Sequence, residues 1–317
     1  MFVIFSRFQV ANYSTIEMSI PKYTVILLLL LIQGCSLITV GYNNFDVYLR
    51  YKINSYATFT DEQKIIIRRE VDDYMAWHRQ YALPEYIIFL EDLLRLIQQA
   101  QPPESADVAR LRARVNALYI ASVSPAIPPA AKFLSELNEP QIAQLKIAFA
   151  QENKKRKQEW LGNSAEENLQ KRAQRTLDFM EDFVGNLDAK QKEKIRAASI
   201  QLPFATEVFF AQRVANQEAL IMLLNNKSSA NQVAEFLTSR LQTPALSRTA
   251  QEHALLEQFQ TAADAMVAYT FLLLNAEQKN TLQKTIVDYI DDLKELHKAK
   301  LKAHQAFFKV NLGGHHG

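Results

Sequence analysis

Apolar residues recur along most of the chain at steps of three and four positions, which is the spacing of one face of an α-helix. Over 61–81 the apolar or aromatic positions with this spacing are Ile67, Val71, Tyr74, Met75, His78 and Tyr81. Charged residues such as Arg68 and Asp72 lie on the other faces. No stretch keeps the alternation of period two that is typical of a strand, so this region is predicted to be an amphipathic helix.

The same spacing predicts further helices, with Leu83-Pro84 and other prolines at the breaks. The predicted helical segments are 61–81, 85–101, 105–122, 129–137, 139–160, 164–186, 188–201, 204–225, 229–242, 248–273 and 275–309. We therefore expect an all-α fold, a bundle of roughly ten helices, with the helical body over 59–310 and a flexible tail over 311–317.

The pattern changes near the N-terminus, where 25–32 is an unbroken run of eight apolar residues. This run is too short to cross a bilayer as a helix, which takes roughly 20 residues. Lys22 precedes it and Gly34 follows, an order that is typical of an export signal. We expect 1–34 to be a cleaved signal peptide, with Met18 as a second candidate start, and 35–58 to be the first segment of the mature chain.

The sequence Ile32-Gln33-Gly34-Cys35 resembles the lipobox of bacterial lipoprotein precursors. The resemblance implies that Cys35 carries a thioether-linked diacylglycerol and becomes the first residue of the mature chain. In such lipoproteins an Asp after the cysteine signals retention in the inner membrane, and this chain has Ser36 there. The resemblance therefore implies an outer-membrane location facing the periplasm. The lipid bilayer is the first expected partner. The alternatives are an ordinary cleaved signal or a buried helix with an incidental thiol, and the single cysteine of the chain favours the lipobox.

Charge and composition exclude several classes of function. The chain has 36 Lys and Arg residues against 34 Asp and Glu, and a net charge of +2 gives no field to hold nucleic acid. Its seven glycines, four of them at positions 34, 313, 314 and 317, are too few for a phosphate loop or a dinucleotide fingerprint. His297 and His304 lack the acidic residue that would complete a zinc-protease helix. We expect no cofactor, no metal and no nucleic-acid partner.

One pattern recurs at four predicted helix starts: an apolar residue, then a capping residue, then a glutamine three positions after the cap. The four pairs of cap and glutamine are Thr60 with Gln63, Asn138 with Gln141, Asp188 with Gln191, and Asn275 with Gln278. This pattern predicts capping boxes, in which each side chain accepts a hydrogen bond from the other residue's backbone amide. The patterns begin at 59, 137, 187 and 274, which favours a duplicated unit of about 130 residues.

These four boxes are similar to the Leu-Thr-x-x-Gln motifs of the Spy-like and CpxP-like periplasmic chaperones. Those are small all-helical proteins that carry two copies each and act as curved dimers holding unfolded clients. The resemblance implies a chaperone or stress adaptor, in which two two-box units in one chain mimic a chaperone dimer. The alternative is that the boxes only begin helices, since capping boxes arise readily in helical proteins.

A longer part of the chain is similar to an uncharacterised family of proteobacterial lipoproteins. The stretches that carry this resemblance are Gly34-Cys35-Ser36-Leu37, Tyr42-Asn43-Asn44-Phe45-Asp46, Trp77-His78-Arg79 and Leu83-Pro84-Glu85-Tyr86. The resemblance implies lipidation and a helical architecture, and it leaves the function open.

Two segments are candidate binding sites. Trp77, His78, Arg79 and Tyr86 are predicted to line an interhelical groove, the alternative being a core histidine packed against a tryptophan. The basic residues Lys154, Lys155, Arg156 and Lys157, with Trp160, are predicted to form a hairpin tip that contacts anionic lipid, cell-wall polymer or an acidic client. The alternative there is a hydrated, charged helix pair.

The sequence favours a non-enzymatic envelope lipoprotein that binds a protein or another envelope component through helical grooves. A cell-wall hydrolase using Glu85 near Trp77 and His78 is one alternative, and it would need a carboxyl group with a raised pKa in a cleft. A purely architectural lipoprotein of an envelope assembly is the other. We expect no catalytic residue.

Overall fold

The computed structural model describes residues 37–162, 164–243 and 249–312. Helix accounts for 86% of the described residues, and none of them lies in a strand. The predicted all-α bundle is therefore confirmed. Cys35 and the predicted signal peptide, 1–34, lie outside the described residues, as does 313–317 of the predicted tail.

The helices follow one another with short connections. In chain order they are α1 Leu37–Asn43, α2 Phe45–Asn54, α3 Asp61–Trp77, α4 Leu83–Ile97, α5 Ser105–Val123, α6 Ile127–Ser135, α7 Glu139–Leu161, α8 Ala165–Val184, α9 Ala189–Ile200, α10 Thr206–Asn225, α11 Ala230–Gln242, α12 Ala250–Leu273 and α13 Ala276–Leu312. A π-helical turn, His78–Ala82, joins α3 to α4, and a 3-10 turn, Ser124–Ala126, joins α5 to α6. Counted as unbroken segments, the described helices number eleven, close to the roughly ten predicted.

Three boundaries differ from the predicted ones. The segment 35–58 contains two helices, α1 and α2, that were not predicted. The predicted break at Leu83-Pro84 is wrong, because the π-helical turn keeps the chain helical and places Pro84 in the first turn of α4. Pro84, which has no N–H to donate, lies where the hydrogen-bond pattern changes from π-helical to α-helical. At the other end, α13 continues to Leu312, two residues into the predicted tail.

The main core combines the N-terminal helices with the last one. Buried side chains of α3 and α4, such as Ile67, Val71 and Leu83, pack together with Ile286 and Leu296 of α13. Helices α8 and α9 contribute to the same core through Leu177 and Ile195. The C-terminal helix is thus an integral part of the body, packed along α4.

A second, smaller core lies between α6, α7, α10 and α11. Its buried members are Ala131, Ile142, Leu145, Ile221, Leu224 and Val233. The two cores do not follow the boundary of the predicted duplication, because the main core takes residues from both proposed units. None of the described helices combines the length and the hydrophobicity needed to cross a membrane.

Candidate functional site

All four predicted boxes have both of their hydrogen bonds. The amide nitrogens of Gln63, Gln141, Gln191 and Gln278 donate to the cap side chains at 3.2, 2.9, 2.8 and 2.9 Å. In return, the Oε1 atoms of these glutamines accept from the cap amides at 3.0, 3.2, 2.9 and 3.0 Å. Each box satisfies two amides that a helix start would otherwise leave without a partner.

The caps lend themselves to a direct stability test. Replacing each cap singly, by Thr60→Ala, Asn138→Ala, Asp188→Ala or Asn275→Ala, is expected to lower the free energy of unfolding by about 1 kcal/mol, because one amide loses its acceptor. Thermal unfolding of the four variants measures the change. Unaltered melting temperatures in all four would contradict a stabilising role.

The two boxes of the first half are joined through their glutamines. Gln141 Nε2 donates to Gln63 Oε1 at 2.6 Å, and Gln63 Nε2 donates to Gln141 Oε1 at 3.3 Å. Gln141 Nε2 also donates to the carbonyl oxygen of Thr58, two positions before the first cap, at 3.1 Å. Gln141 is 4% exposed and Gln63 is half-buried, and their amides hold the starts of α3 and α7 together.

The second half repeats this arrangement in a more symmetrical form. Gln191 and Gln278 each donate to the other's Oε1 at 2.8 Å. Gln191 Nε2 also donates to the Leu273 carbonyl oxygen at 2.7 Å, and Gln278 Nε2 to the Asn186 carbonyl oxygen at 2.8 Å. Both carbonyls again lie two positions before the partner's cap, so the starts of α9 and α13 are paired in the same way as those of α3 and α7.

This pairing explains why the four boxes have glutamine rather than glutamate. The oxygen of each amide caps its own helix, while the nitrogen of a buried glutamine reaches the partner box. A carboxylate has no donor for the second task. The apolar residue before each cap anchors the site, since Phe59, Leu187 and Leu274 are buried in the main core and Leu137 packs against both cores.

Sequence reasoning missed four further capping boxes. They are formed by Glu104 with Asp107, Ser164 with Glu167, Ser229 with Gln232, and Thr249 with Glu252. Three of them have a Ser or Thr followed by Glu or Gln at the third position, which was a usable signal. Ser164, Ser229 and Thr249 follow a polar residue instead of an apolar one. Glu167 and Gln232 are exposed, whereas Gln141, Gln191 and Gln278 are buried.

An open groove of about 570 Å³ lies directly beside the first box pair. One wall is the connection from α2 to α3, including Tyr56 and Phe59, and the other is the exposed side of α7, including Ile147 and Gln151. Gln144 Oε1 accepts from the Thr58 amide at 2.6 Å and joins the two walls. Ile147 is 57% exposed, and Lys64, whose Nζ atom lies 3.1 Å from Asp61 Oδ1, stands at the rim. The groove is therefore mainly apolar with one basic residue.

His78 lies in the core and lines no groove. It is 2% exposed, and its Nδ1 atom is 2.8 Å from the Tyr42 hydroxyl. The Tyr86 hydroxyl lies 3.4 Å from His78 Nε2 and 2.5 Å from the Ser122 hydroxyl. Burial lowers the pKa of His78 to about 4, so the imidazole is neutral at physiological pH. The same burial raises the pKa of Tyr42 and keeps its hydroxyl protonated.

The other predicted groove residues surround this histidine. Tyr74 stacks against Trp77 with ring centroids 6.1 Å apart, and Trp77 lies 6.3 Å from the His78 ring. The Arg79 guanidinium covers the Tyr42 ring at 5.1 Å and donates to Asn43 Oδ1 at 2.9 Å. The structure thus brings together Trp77, His78, Arg79 and Tyr86, but around a packed aromatic cluster, which is the alternative that the sequence also allowed.

The π-helical turn gives this cluster a long-range contact. The Leu83 amide donates to the His78 carbonyl, which leaves the Arg79 carbonyl without its α-helical donor. Pro84 has no N–H to replace it. His297 Nδ1, on α13, lies 3.0 Å from the Arg79 oxygen, and since a carbonyl only accepts, this nitrogen carries the proton. His297 therefore joins α13 to the turn.

The predicted basic tip lies at the C-terminal end of α7. Lys154, Lys155 and Lys157 are exposed, whereas Arg156 covers one face of Trp160 at 5.1 Å and Trp160 is half-buried. Lys155 Nζ lies 3.9 Å from Glu159. One face of the Trp160 ring is therefore covered by a side chain of its own helix.

The groups that a hydrolase would need are not assembled around Glu85. Glu85 is exposed in the first turn of α4, and it does not line the groove beside the first box pair. Ion pairs hold other carboxyl groups ionised: the Lys294 ammonium lowers the pKa of Glu91, and the Lys192 ammonium lowers that of Glu181. Within the described ranges, no cluster of His, Cys, Asp and Glu side chains is suited to hold a metal ion.

Together, the fold and these sites define a class: an all-α protein whose helix starts are joined in pairs by glutamines, with an open, mainly apolar groove beside one pair. The chain belongs to a family of unknown function, DUF6279, whose family model matches residues 55–245. The match includes the first three boxes, His78 with its neighbours Tyr74, Trp77 and Tyr86, and the basic end of α7. No curated protein and no solved structure matches the chain.

Proposed function

We propose that the protein is a non-enzymatic envelope lipoprotein that captures apolar, partly unfolded segments of other proteins, in the manner of a periplasmic chaperone or stress adaptor. The observation that carries this proposal is the groove beside the Gln63–Gln141 pair. It is open, and it exposes Ile147 in its wall.

The box pairs support the chaperone part of the proposal. In the resemblance to Spy-like proteins, two Leu-Thr-x-x-Gln motifs belong to one unit. Here the first box pairs with the second and the third with the fourth, as expected of two such units in one chain. The paired amides of Gln63 and Gln141 join the start of α7, the helix that forms one wall of the groove, to the start of α3.

The cellular address is also part of the proposal. The resemblance of Ile32-Gln33-Gly34-Cys35 to a lipobox supports an acyl anchor on Cys35, in the outer membrane and facing the periplasm. An amino terminus with two or three acyl chains is a stable anchor, since each buried methylene contributes about 0.8 kcal/mol. The partners are then the bilayer and an envelope protein or client.

Suppression of aggregation tests client capture. The unlipidated chain from Ser36 onward is expected to prevent the aggregation of reduced lysozyme at a near-equal molar ratio, as followed by light scattering. Ile147→Glu is expected to abolish most of this effect, because it introduces a charge into the apolar wall.

Met222→Glu on α10 is the matched control, since Met222 is 64% exposed and does not line the groove. It should leave the suppression unchanged. Absence of suppression by the wild-type protein would refute client capture and favour a purely architectural lipoprotein. An equal loss in both variants would refute the assignment of the groove as the capture site.

A further inference from the structure

Helices α1 and α2 have two apolar sides, and only one of them packs on the protein. Their backbone hydrogen bonds continue across Asn44, whose amide donates to the Val40 carbonyl while its own carbonyl accepts from the Tyr48 amide. Ile38, Tyr42, Leu49 and Ile53 belong to the main core or pack against it. These positions share one side of the continuous helical segment.

The opposite side has three large apolar residues that are open to solvent, beside the exposed Asn44 and Asn54. Val40, Val47 and Tyr51 are 46%, 55% and 71% exposed. Spacings of seven and four residues place the three within about 40° of one another around a helix axis. Asn44 lies on the same line, and its side-chain amide donates to the Val40 carbonyl oxygen at 2.8 Å. We name the exposed surface of Val40, Val47 and Tyr51 the outer face.

The outer face is held rigidly on the body. The Tyr42 hydroxyl contacts buried His78, and Arg50 donates to Asp72 of α3 at 2.7 Å. Its exposed side chains therefore do not result from a helix that is detached from the body. A soluble helix normally has its polar residues on the side away from the core, so an apolar outer face indicates a further contact.

We propose that the outer face lies against the bilayer surface, at the level of the lipid headgroups; this rests on the acyl anchor at Cys35 that the proposed function includes. Cys35 is two residues before Leu37, where α1 begins, and two residues of chain span about 7 Å at most. An anchor at that position keeps the outer face within reach of the membrane. Tyrosine is also enriched at membrane interfaces, where its ring is buried and its hydroxyl stays hydrated.

The size of the outer face favours a bilayer over a second copy of the chain. Stable protein interfaces use about 20 residues on each side, whereas three side chains make up this surface. A short helix with one apolar face can lie in the interface with that face buried by about 5–10 Å. Because the outer face runs along the axis of α1 and α2, contact with lipid places both helices parallel to the membrane surface.

A single labelled thiol tests the proposal in the lipidated, full-length protein. Acylation occupies Cys35, the only natural cysteine, so Val47→Cys supplies one free thiol for the environment-sensitive dye NBD. The protein is reconstituted into vesicles of equal parts phosphatidylethanolamine and phosphatidylglycerol. Met222→Cys on α10 is the control at a comparably exposed site.

Iodide in the water is expected to quench the dye at position 47 at least about three-fold less than the dye at position 222, because the outer face is shielded by headgroups. Lipids brominated near the headgroup should quench only the dye at position 47. Equal quenching at both positions, in protein that floats with the vesicles, overturns the proposal and leaves the anchor intact. Protein that lacks acyl chains by intact mass overturns the anchor and this proposal together.

Protection at position 47 that disappears when the protein is diluted over more vesicles would assign the outer face to a second copy and overturn its contact with lipid. The aggregation assay uses unlipidated protein and reads client capture separately. A failed aggregation assay alongside normal protection at position 47 would therefore reject the capture function and retain the membrane contact.

Discussion

Gln191→Glu is expected to lower the free energy of unfolding by about 3 kcal/mol, because it removes the only donors of a buried side chain that serves two acceptors. Gln191 Nε2 donates both to Gln278 Oε1 and to the Leu273 carbonyl. A protonated glutamate has one O–H and satisfies at most one of them, and an ionised one places a charge among buried groups. Urea unfolding followed by circular dichroism measures the loss.

The matched control is Gln232→Glu, at the exposed box of α11. The Gln232 oxygen caps the helix at Ser229, and a carboxylate oxygen can do the same. The control is therefore expected to change stability by less than about 0.5 kcal/mol. If Gln191→Glu proved as mild as this control, the paired amides would not be what holds α9 and α13 together.

Acidification is expected to destabilise the protein through His78. In the folded protein burial lowers the pKa of His78 to about 4, from the ordinary value of 6.5 that applies to the unfolded chain. Between these values the unfolded chain binds a proton that the folded protein does not. The stability due to His78 is therefore complete above pH 6.5 and declines as the pH falls towards 4, by roughly 3 kcal/mol in all.

The variant His78→Asn isolates this contribution. Asparagine does not titrate, so the variant is expected to lose less stability between pH 6.5 and 4.5. It is also expected to be less stable at neutral pH, because the Tyr42 hydroxyl loses its contact with His78 Nδ1. Urea midpoints measured across this range for both proteins give the comparison. Identical pH slopes would show that the imidazole is not what titrates.

The positions where helices begin could be predicted from the sequence, because a cap and its glutamine are three residues apart. The pairing of the boxes could not, since Gln63 and Gln141 are 78 residues apart and Gln191 and Gln278 are 87 apart. The spacing of the patterns indicated two units, but no local signal shows which amide nitrogen is free to reach a partner.

Helices α1 and α2 were missed for a related reason. Residues on both of their sides are apolar, with Leu49 and Ile53 on the core and Val47 and Tyr51 in solvent. Such a segment has no clear stripe of period 3.6, which is the signal that identifies an amphipathic helix. Whether His78 lines a groove or lies in the core could not be predicted either. Its burial involves Tyr42, which is distant in sequence and lies on one of these unpredicted helices.

The position of α13 in the main core has a consequence for the order of events during synthesis. Ile67 and Leu83 pack in a core that Ile286 and Leu296 complete. The apolar sides of the helices that are synthesised first are therefore covered only after the last helix has been made. Domains dominated by contacts between distant parts of a chain fold slowly and expose apolar surface meanwhile. The main core is therefore expected to stay incomplete until the last helix is available, and truncation before residue 276 is expected to leave the apolar sides of the first helices uncovered.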